Sequence, residues 1–511
     1  MAEEPRTPLE EWQEREHQTQ DVARPDAVAK RHARGGRTAR ENLAALVDPN
    51  SFVEYGALAV AAQRGRRSVD DLRAATPGDG VITGVASVNG DRFTPAQAKT
   101  VVVINDFTVL AGTQGYFHHK KIDRMLDVAR AERCPILMFV EGGGGRPGDV
   151  DVQIANSGLT VPTFLRWSAL QGVVPRIAVA HGYTFAGNAA LFGSADIGIA
   201  TKQSFLGMAG PAMIEGGGLG RFAPKEIGPI EVQSRNGVVD LVVEDEAEAT
   251  VKARQLLSYF QGSTNNWTAP DPEPLRTALP EDRRFSYKIR PIIEHIADSD
   301  SFLELRREYG GSVITGLLRI EGQPMGVLAN DTRVLGGALD SAASLKAARF
   351  LEFLDDVELP VLSLCDTPGF MVGPDSEAEG AVRHMSQLFV AGARVQTPWF
   401  CVFLRKGYGL GAMAMAGGSL DRPTFTASWP QGEFGAMGLE GAVQLGFARE
   451  LDAAATPDER KALFDRLLQD LYNRGKAIEA ASFLELDAVI DPTDTRRTIA
   501  NLLPNAIVER L

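Results

Sequence analysis

Two glycine-bearing stretches hold the residues with the clearest chemical potential. In the later one, Thr397-Pro398 leads an apolar run of strand length, Trp399 to Leu404, which Arg405-Lys406 closes. Gly407-Tyr408-Gly409-Leu410-Gly411 follows, ahead of a small-residue, Met-rich segment around Met413 that reads as a buried helix. In the earlier one, Val174-Pro175 leads the run Ile177 to Ala180, then His181-Gly182-Tyr183-Thr184-Phe185-Ala186-Gly187 and a second small-residue segment. Where a strand, a glycine loop and a helix start meet, peptide groups rather than side chains face the ligand. Free N–H groups collect there at the positive end of a helix dipole. Such a place receives anions, whether a phosphate or an oxyanion formed during a reaction.

Other candidates surround these loops. Gly142 to Gly145 precede Arg146, and Asp366-Thr367-Pro368-Gly369-Phe370 is their later counterpart. Each lies past the end of a buried strand, where open α/β sheets bind ligands. Arg146 and the cluster His118-His119-Lys120-Lys121 are either phosphate partners or a loop residue and a basic helix surface. Arg383-His384 and His181 are lone histidines. A dinucleotide site at Gly407–Gly411 fails on context, since its strand lies far from the start of its domain. No GxxxxGK[ST] loop, no Gly-x-Ser-x-Gly elbow and no metal-ligand cluster among the seven histidines is evident in the sequence. With so little side-chain acid–base apparatus, the base is expected to arrive with a substrate or cofactor.

The elements that position these loops occur twice. Asn105–Gly112 (NDFTVLAG) matches Asn330–Gly337 (NDTRVLGG), and the run from Cys134 (CPILMFVEGGGG) matches that from Leu359 (LPVLSLCDTPGF), both at an offset of 225. VITG recurs at Val81 and Val313, SFxE at Ser51 and Ser301, and VVDLVVED after Val238 is echoed from Glu485. Ordered matches of this kind mean one fold duplicated. Within each copy strands alternate with helices, which predicts a layered α/β domain. The expected division is 1–265, a Pro-rich semi-rigid linker at 266–284, and 285–511, with a charged helical arm at 1–40. The arm's basic run, Lys30 to Arg37, is either solvated or in touch with a ligand phosphate or a neighbouring subunit.

At 511 residues, 44% hydrophobic and 23% charged, the chain suits two large globular domains. Its net charge of −13 argues against a nucleic-acid surface, and no apolar run reaches the roughly 18 residues of a membrane span. Cys134, Cys365 and Cys401 each lie in an apolar run, as expected of buried thiols in a reducing cytoplasm.

Gly143-Gly144-Gly145-Arg146, the Gly182–Gly187 loop, Asp366–Phe370, Arg383-His384 and Arg405–Gly409 stand in the order of a known family. From about Arg31 onward the chain resembles the carboxyltransferase (β) subunits of biotin-dependent acyl-CoA carboxylases, such as propionyl-CoA carboxylase. The resemblance implies two tandem crotonase-like domains, a homohexamer built as two stacked rings of three, and sites between the N-domain of one subunit and the C-domain of another. It implies an acyl-CoA substrate on the first loop and biotin on the second. Biotin would come on a separate carrier, partnered by a biotin carboxylase (the α chain). The backbone N–H groups of Ala186 and Gly187 would hold the thioester enolate oxygen, and those of Leu410 and Gly411 the ureido oxygen of biotin. Gly143, Gly144, Gly145, Arg146, Gly182, Tyr183, Gly407, Tyr408, Gly409 and Met413 would line the substrate sites. The family reads SGGAR where this chain has GGGGR, and relatives preferring short acyl groups carry a polar or acidic residue at Met413. Ala412–Met415 lacks the lysine of a biotin attachment site, so the cofactor is expected on another chain. The rival expectations are a biotin-dependent decarboxylase, a crotonase-type hydratase or thioesterase, or a non-catalytic assembly subunit with decayed loops.

Overall fold

The computed structural model describes residues 6–146, 148–151 and 159–503; the first five residues of the arm and the last eight of the chain lie outside them. The chain divides into two compact units, 1–261 and 262–511.

In the first unit, strands β1 (Val53–Glu54), β2 (Val81–Ser87), β3 (Lys99–Asn105), β4 (Ile136–Phe139), β5 (Arg176–Ala180), β7 (Ile197–Thr201) and β9 (Leu241–Val243) form one sheet in that order. The first three pair antiparallel and the rest parallel. A small parallel pair, β6 (Tyr183–Phe185) and β8 (Phe205–Gly207), stands apart. Past Lys99 the central strands β3, β4 and β5 are buried, which is why they read as largely apolar runs. The helices that matter to the site are α1 (Pro25–His32), α2 (Ala39–Leu46), α3 (Tyr116–Glu132), α4 (Gly187–Gly193) and α5 (Glu246–Phe260). Thr38 and Glu41 close a capping box on α2. Ile122, Met125, Leu126 and Ala129 of α3 pack into the core beside Ile136 and Met138.

The second unit repeats this plan with β10 (Leu303–Leu305), β11 (Val313–Ile320), β12 (Gln323–Asn330), β13 (Val361–Thr367), β14 (Trp399–Tyr408), β15 (Phe425–Ser428) and β17 (Ala488–Val489). Again two antiparallel pairings give way to parallel ones, and β16 (Glu433–Gly435) pairs with the end of β14. Its helices include α6 (Ile289–Ile296), α7 (Ser341–Asp356) and α8 (Gly409–Met415). The stretch expected to be a linker is part of this unit, because Leu275, in a 3-10 turn, is buried in its core. β14 also runs past its expected end: Arg405, Lys406 and Gly407 lie in the strand, held there by pairing with β16.

Buried lysines mark the duplication. Lys121 donates to the carbonyls of Gly78 and Val81, and Lys346, 225 residues on, to those of Tyr309 and Val313. The three cysteines are free and buried. Among the described residues, no helix is long and apolar enough to cross a membrane.

Candidate active site

The first glycine loop is made by a break in a strand. β5 stops at Ala180, His181 and Gly182 bulge out, and β6 resumes at Tyr183. Ala186 then turns the chain into α4 with φ 52° and ψ −119°, a conformation that suits glycine. Its N–H donates to the Gly207 carbonyl at 3.0 Å. Ala186 is therefore corrected as an oxyanion donor. The N–H groups of Gly187 and Asn188 open α4 with no acceptor among the described residues. Gly187 admits no side chain, because a Cβ would lie 2.1 Å from Gln114 Oε1.

Asn188 ties this loop to its surroundings. It is fully buried; Oδ1 accepts from Asn105 at 3.0 Å and Gln114 at 2.9 Å, while Nδ2 donates to the carbonyls of Gly112 at 3.2 Å and Gly143 at 2.7 Å. All four hydrogen-bonding positions of the side chain are thus used, one of them to hold Gly143 against α4.

Of the candidate phosphate partners Arg146, His118, His119, Lys120 and Lys121, most are engaged or uncharged. Arg146 is ion-paired with buried Asp79 and Asp149 and donates to the Thr113 carbonyl. His118 and His119 are neutral: burial pushes His118 well below its usual range, and burial with Arg146 nearby pushes His119 down to about 4. Lys121 serves Gly78 and Val81, which leaves Lys120 as the exposed cation of the cluster.

Beneath the first loop lies a charged group that the sequence left unassigned. Glu141, at the end of β4, Glu246 of α5 and His181 place oxygen and nitrogen atoms within 4.8 Å of one another, a spacing that suits a metal ion. Arg31 of α1 supplies the positive charge instead, 2.7 Å from Glu141 and 2.8 Å from Glu246. His181 Nδ1 meets Glu246 at 2.8 Å. Burial alone would raise the Glu246 pKa, but His181, the Arg37 backbone and Arg31 hold it below the usual carboxylate range. Arg31 is thus neither solvated nor a phosphate contact. It is the buried counter-ion of the first loop.

The second loop follows a bulge instead of a break, since β14 runs on through Tyr408. Leu410 and Gly411 open α8 with N–H groups that have no acceptor among the described residues, and Leu410 is 60% exposed while Gly411 is buried. A Cβ on Gly411 would stand 2.7 Å from the Gly369 backbone, so the Asp366–Phe370 loop is seated directly on it. Gly409 turns the chain with φ 57°, and its Cα faces the Ala436 carbonyl. Gly407 and Tyr408 are buried strand residues, and Met413 is 37% exposed. Asp366, the counterpart of Glu141, is fully buried; it accepts from Tyr287 at 2.9 Å, Arg405 Nε at 3.1 Å and the Lys406 N–H at 3.1 Å. Burial raises the pKa of Glu433, on the neighbouring β16 and 3.4 Å from Arg283.

With this geometry in place, comparison with known proteins is decisive. Residues 30–507 match the carboxyl transferase domain. The chain belongs to that family. This carboxyltransferase is 33% identical over 487 residues to the methylmalonyl-CoA carboxyltransferase 12S subunit of Propionibacterium freudenreichii subsp. shermanii, covering 93% of the chain and 90% of the relative. It is 31% identical to the biotin-dependent long chain acyl-coenzyme A carboxylase beta4 subunit of Mycobacterium tuberculosis, covering 96% and 92%. Among solved structures, a single-chain, multi-domain long-chain acyl-CoA carboxylase superposes with a TM-score of 0.92 at 55% identity, covering 98% of this chain. The carboxyltransferase spans about half the length of that enzyme. The transcarboxylase 12S hexamer superposes at 0.85 with 31% identity, covering 98% of this chain and 95% of that one. The resemblance carried by the glycine loops is borne out, as is the crotonase-like α/β fold.

Asn188, Tyr287 and the acids Glu141 and Glu246 escaped the sequence reading, which named Asp366 and Arg31 without giving them these partners. The offset of 225 that aligns Glu141 with Asp366 was the available signal; Arg31 and Tyr287 reach the site from arms outside the repeated motifs.

Proposed function

We propose that this carboxyltransferase is the carboxyl-transfer component of a biotin-dependent acyl-CoA carboxylase, working in the cytoplasm as a homohexamer with a biotin carboxylase and a biotin carrier. It moves the carboxyl group from carboxybiotin to the α-carbon of a long-chain acyl-CoA. The observation that carries this reading is the repetition: each unit holds, after a strand that gains two extra residues, a pair of main-chain amides without a partner among the described residues. A reaction that builds negative charge on two different oxygens needs two such receptors.

The donor set suits biotin, because Leu410 and Gly411 offer neutral N–H groups to a carbonyl-type oxygen at an apolar mouth. Biotin, when presented, supplies the carboxyl group and the nitrogen that takes the α-proton. Gly187 and Asn188 hold the thioester oxygen as enolate charge develops on it. Each donor of this kind is worth about 10²–10³ in rate. Backbone donors already in place need no reorganisation during the reaction. Gly143 to Gly145, tied down by Asn188, form the wall beside them.

The long-chain assignment rests on the 55% identity to a long-chain acyl-CoA carboxylase and on the apolar, exposed Leu410 and Met413 at the second loop. In an assay with labelled bicarbonate, ATP, the biotinylated partner and acyl-CoAs from C2 to C16, label is expected on the longest chains. Met413→Asp is expected to shift the preference toward short ones. No transfer to any acyl-CoA overturns the function, and transfer confined to C2–C4 overturns the long-chain assignment.

A further inference from the structure

The strand irregularities before the two loops have a common construction. In the first unit, β4 and β5 pair Phe139 with Val179 and next pair Gly142 with Thr184, so β5 and its continuation carry two extra residues. In the second, Cys365 pairs with Phe403 and next Thr367 with Gly407, again two extra. The residue of the shorter strand facing the bulge is an acid in both: Glu141 and Asp366. A bulge leaves ladder groups unpaired and bends the strand, so something must fix where pairing resumes. Asp366 does this with hydrogen bonds. Oδ1 accepts from the Lys406 N–H at 3.1 Å, taking the place of a ladder carbonyl. Oδ2 accepts from Arg405 Nε at 3.1 Å and Tyr287 at 2.9 Å. Asp366's own N–H donates to Asn330 Oδ1 at 3.1 Å, which anchors it to β12. Arg405 also donates to the Phe285 carbonyl at 3.0 Å and lies over the Tyr287 ring.

We propose that Asp366 is the positioning residue of the second receptor: by holding the bulged Arg405-Lys406 main chain, it sets the register in which β14 resumes and thereby aims the Leu410 and Gly411 amides. Glu141 takes the same place in the first unit, with its carboxylate against Gly182, where a Cβ would lie 2.2 Å from Oε1. The acid is required rather than an amide, because three donors converge on its two oxygens. An asparagine keeps one acceptor oxygen and turns an NH2 group toward another donor. A receptor displaced by a fraction of an ångström loses transition-state stabilisation while substrate binding elsewhere is unaffected. This inference rests on the carboxyltransferase function proposed above.

The test compares wild type, Asp366→Asn and Tyr287→Phe in the reconstituted complex, with palmitoyl-CoA as acceptor and the folded state of each protein checked by thermal melting. Asp366→Asn is expected to lower kcat by about 10- to 100-fold with KM for palmitoyl-CoA within twofold. Tyr287→Phe, which removes one of three donors, is expected to fall between. Asp366→Glu, which keeps the charge but lengthens the arm, is expected not to restore kcat. A folded Asp366→Asn variant with wild-type kcat overturns the proposal, as does a loss that appears wholly in KM. An inactive wild type across the acyl-CoA panel instead overturns the function itself, so the two failures are distinguishable.

Discussion

Ala186 holds a side chain in a backbone region that disfavours one, and a Cβ on Gly144 would come within 2.8 Å of its methyl. Strain of this kind costs about 1–3 kcal/mol. Ala186→Gly is therefore expected to raise stability by about 1 kcal/mol, read as a higher urea midpoint with an unchanged slope. Gly411 is the opposite case. Gly411→Ala drives a methyl into the Gly369 main chain, so the second receptor must move. Transfer is expected to fall about 10²-fold with acyl-CoA affinity retained, measured by kinetics beside direct acyl-CoA binding. At this scale the sequence was informative about glycines and silent about the conformation of Ala186, whose N–H it had placed in the receptor. A glycine announces a conformational need, whereas an alanine in the same conformation looks like any other small residue.

Among the elements, the two buried lysines carry a pH dependence. Burial pushes Lys121 down to about 8 and Lys346 down to about 7, from an ordinary 10.5. Between those values and 10.5, the unfolded chain binds protons that the folded chain does not. Stability is thus expected to rise with pH from about 7 to 10.5 and to lose this contribution below. Urea midpoints at pH 7 and 9 measure the slope, and Lys346→Met is expected to flatten it. The strands were legible because both faces are buried, which produces continuous apolar runs between Gly and Pro signals. The end of β14 was not: Arg405-Lys406 looks like a stop, but Arg405 turns inward to a buried acid and the strand continues. The His118–Lys121 cluster misled for a related reason. Four polar residues in a row on a helix cannot all face solvent, and their burial depends on packing that local sequence does not carry.

For the molecule as a whole, the duplication was readable from short matches in the same order, while the arms that complete each copy were not. Arg31 and Tyr287 sit outside the repeated segments and find their carboxylates only through the tertiary fold. Arg31→Ala leaves Glu141 and Glu246 facing each other without a counter-ion, at a cost of about 3–5 kcal/mol. Since each unit has its own core, calorimetry is expected to resolve two transitions, with Arg31→Ala lowering the one that belongs to residues 1–261. The same pairing has a consequence for biosynthesis. Arg31 leaves the ribosome early, but Glu246 is 215 residues behind it. At about 5–20 residues per second the guanidinium waits roughly 10–40 s for its second carboxylate. The first half of the chain therefore cannot close over its innermost charges until nearly all of it has been translated, and a nascent-chain chaperone would have that interval in which to act.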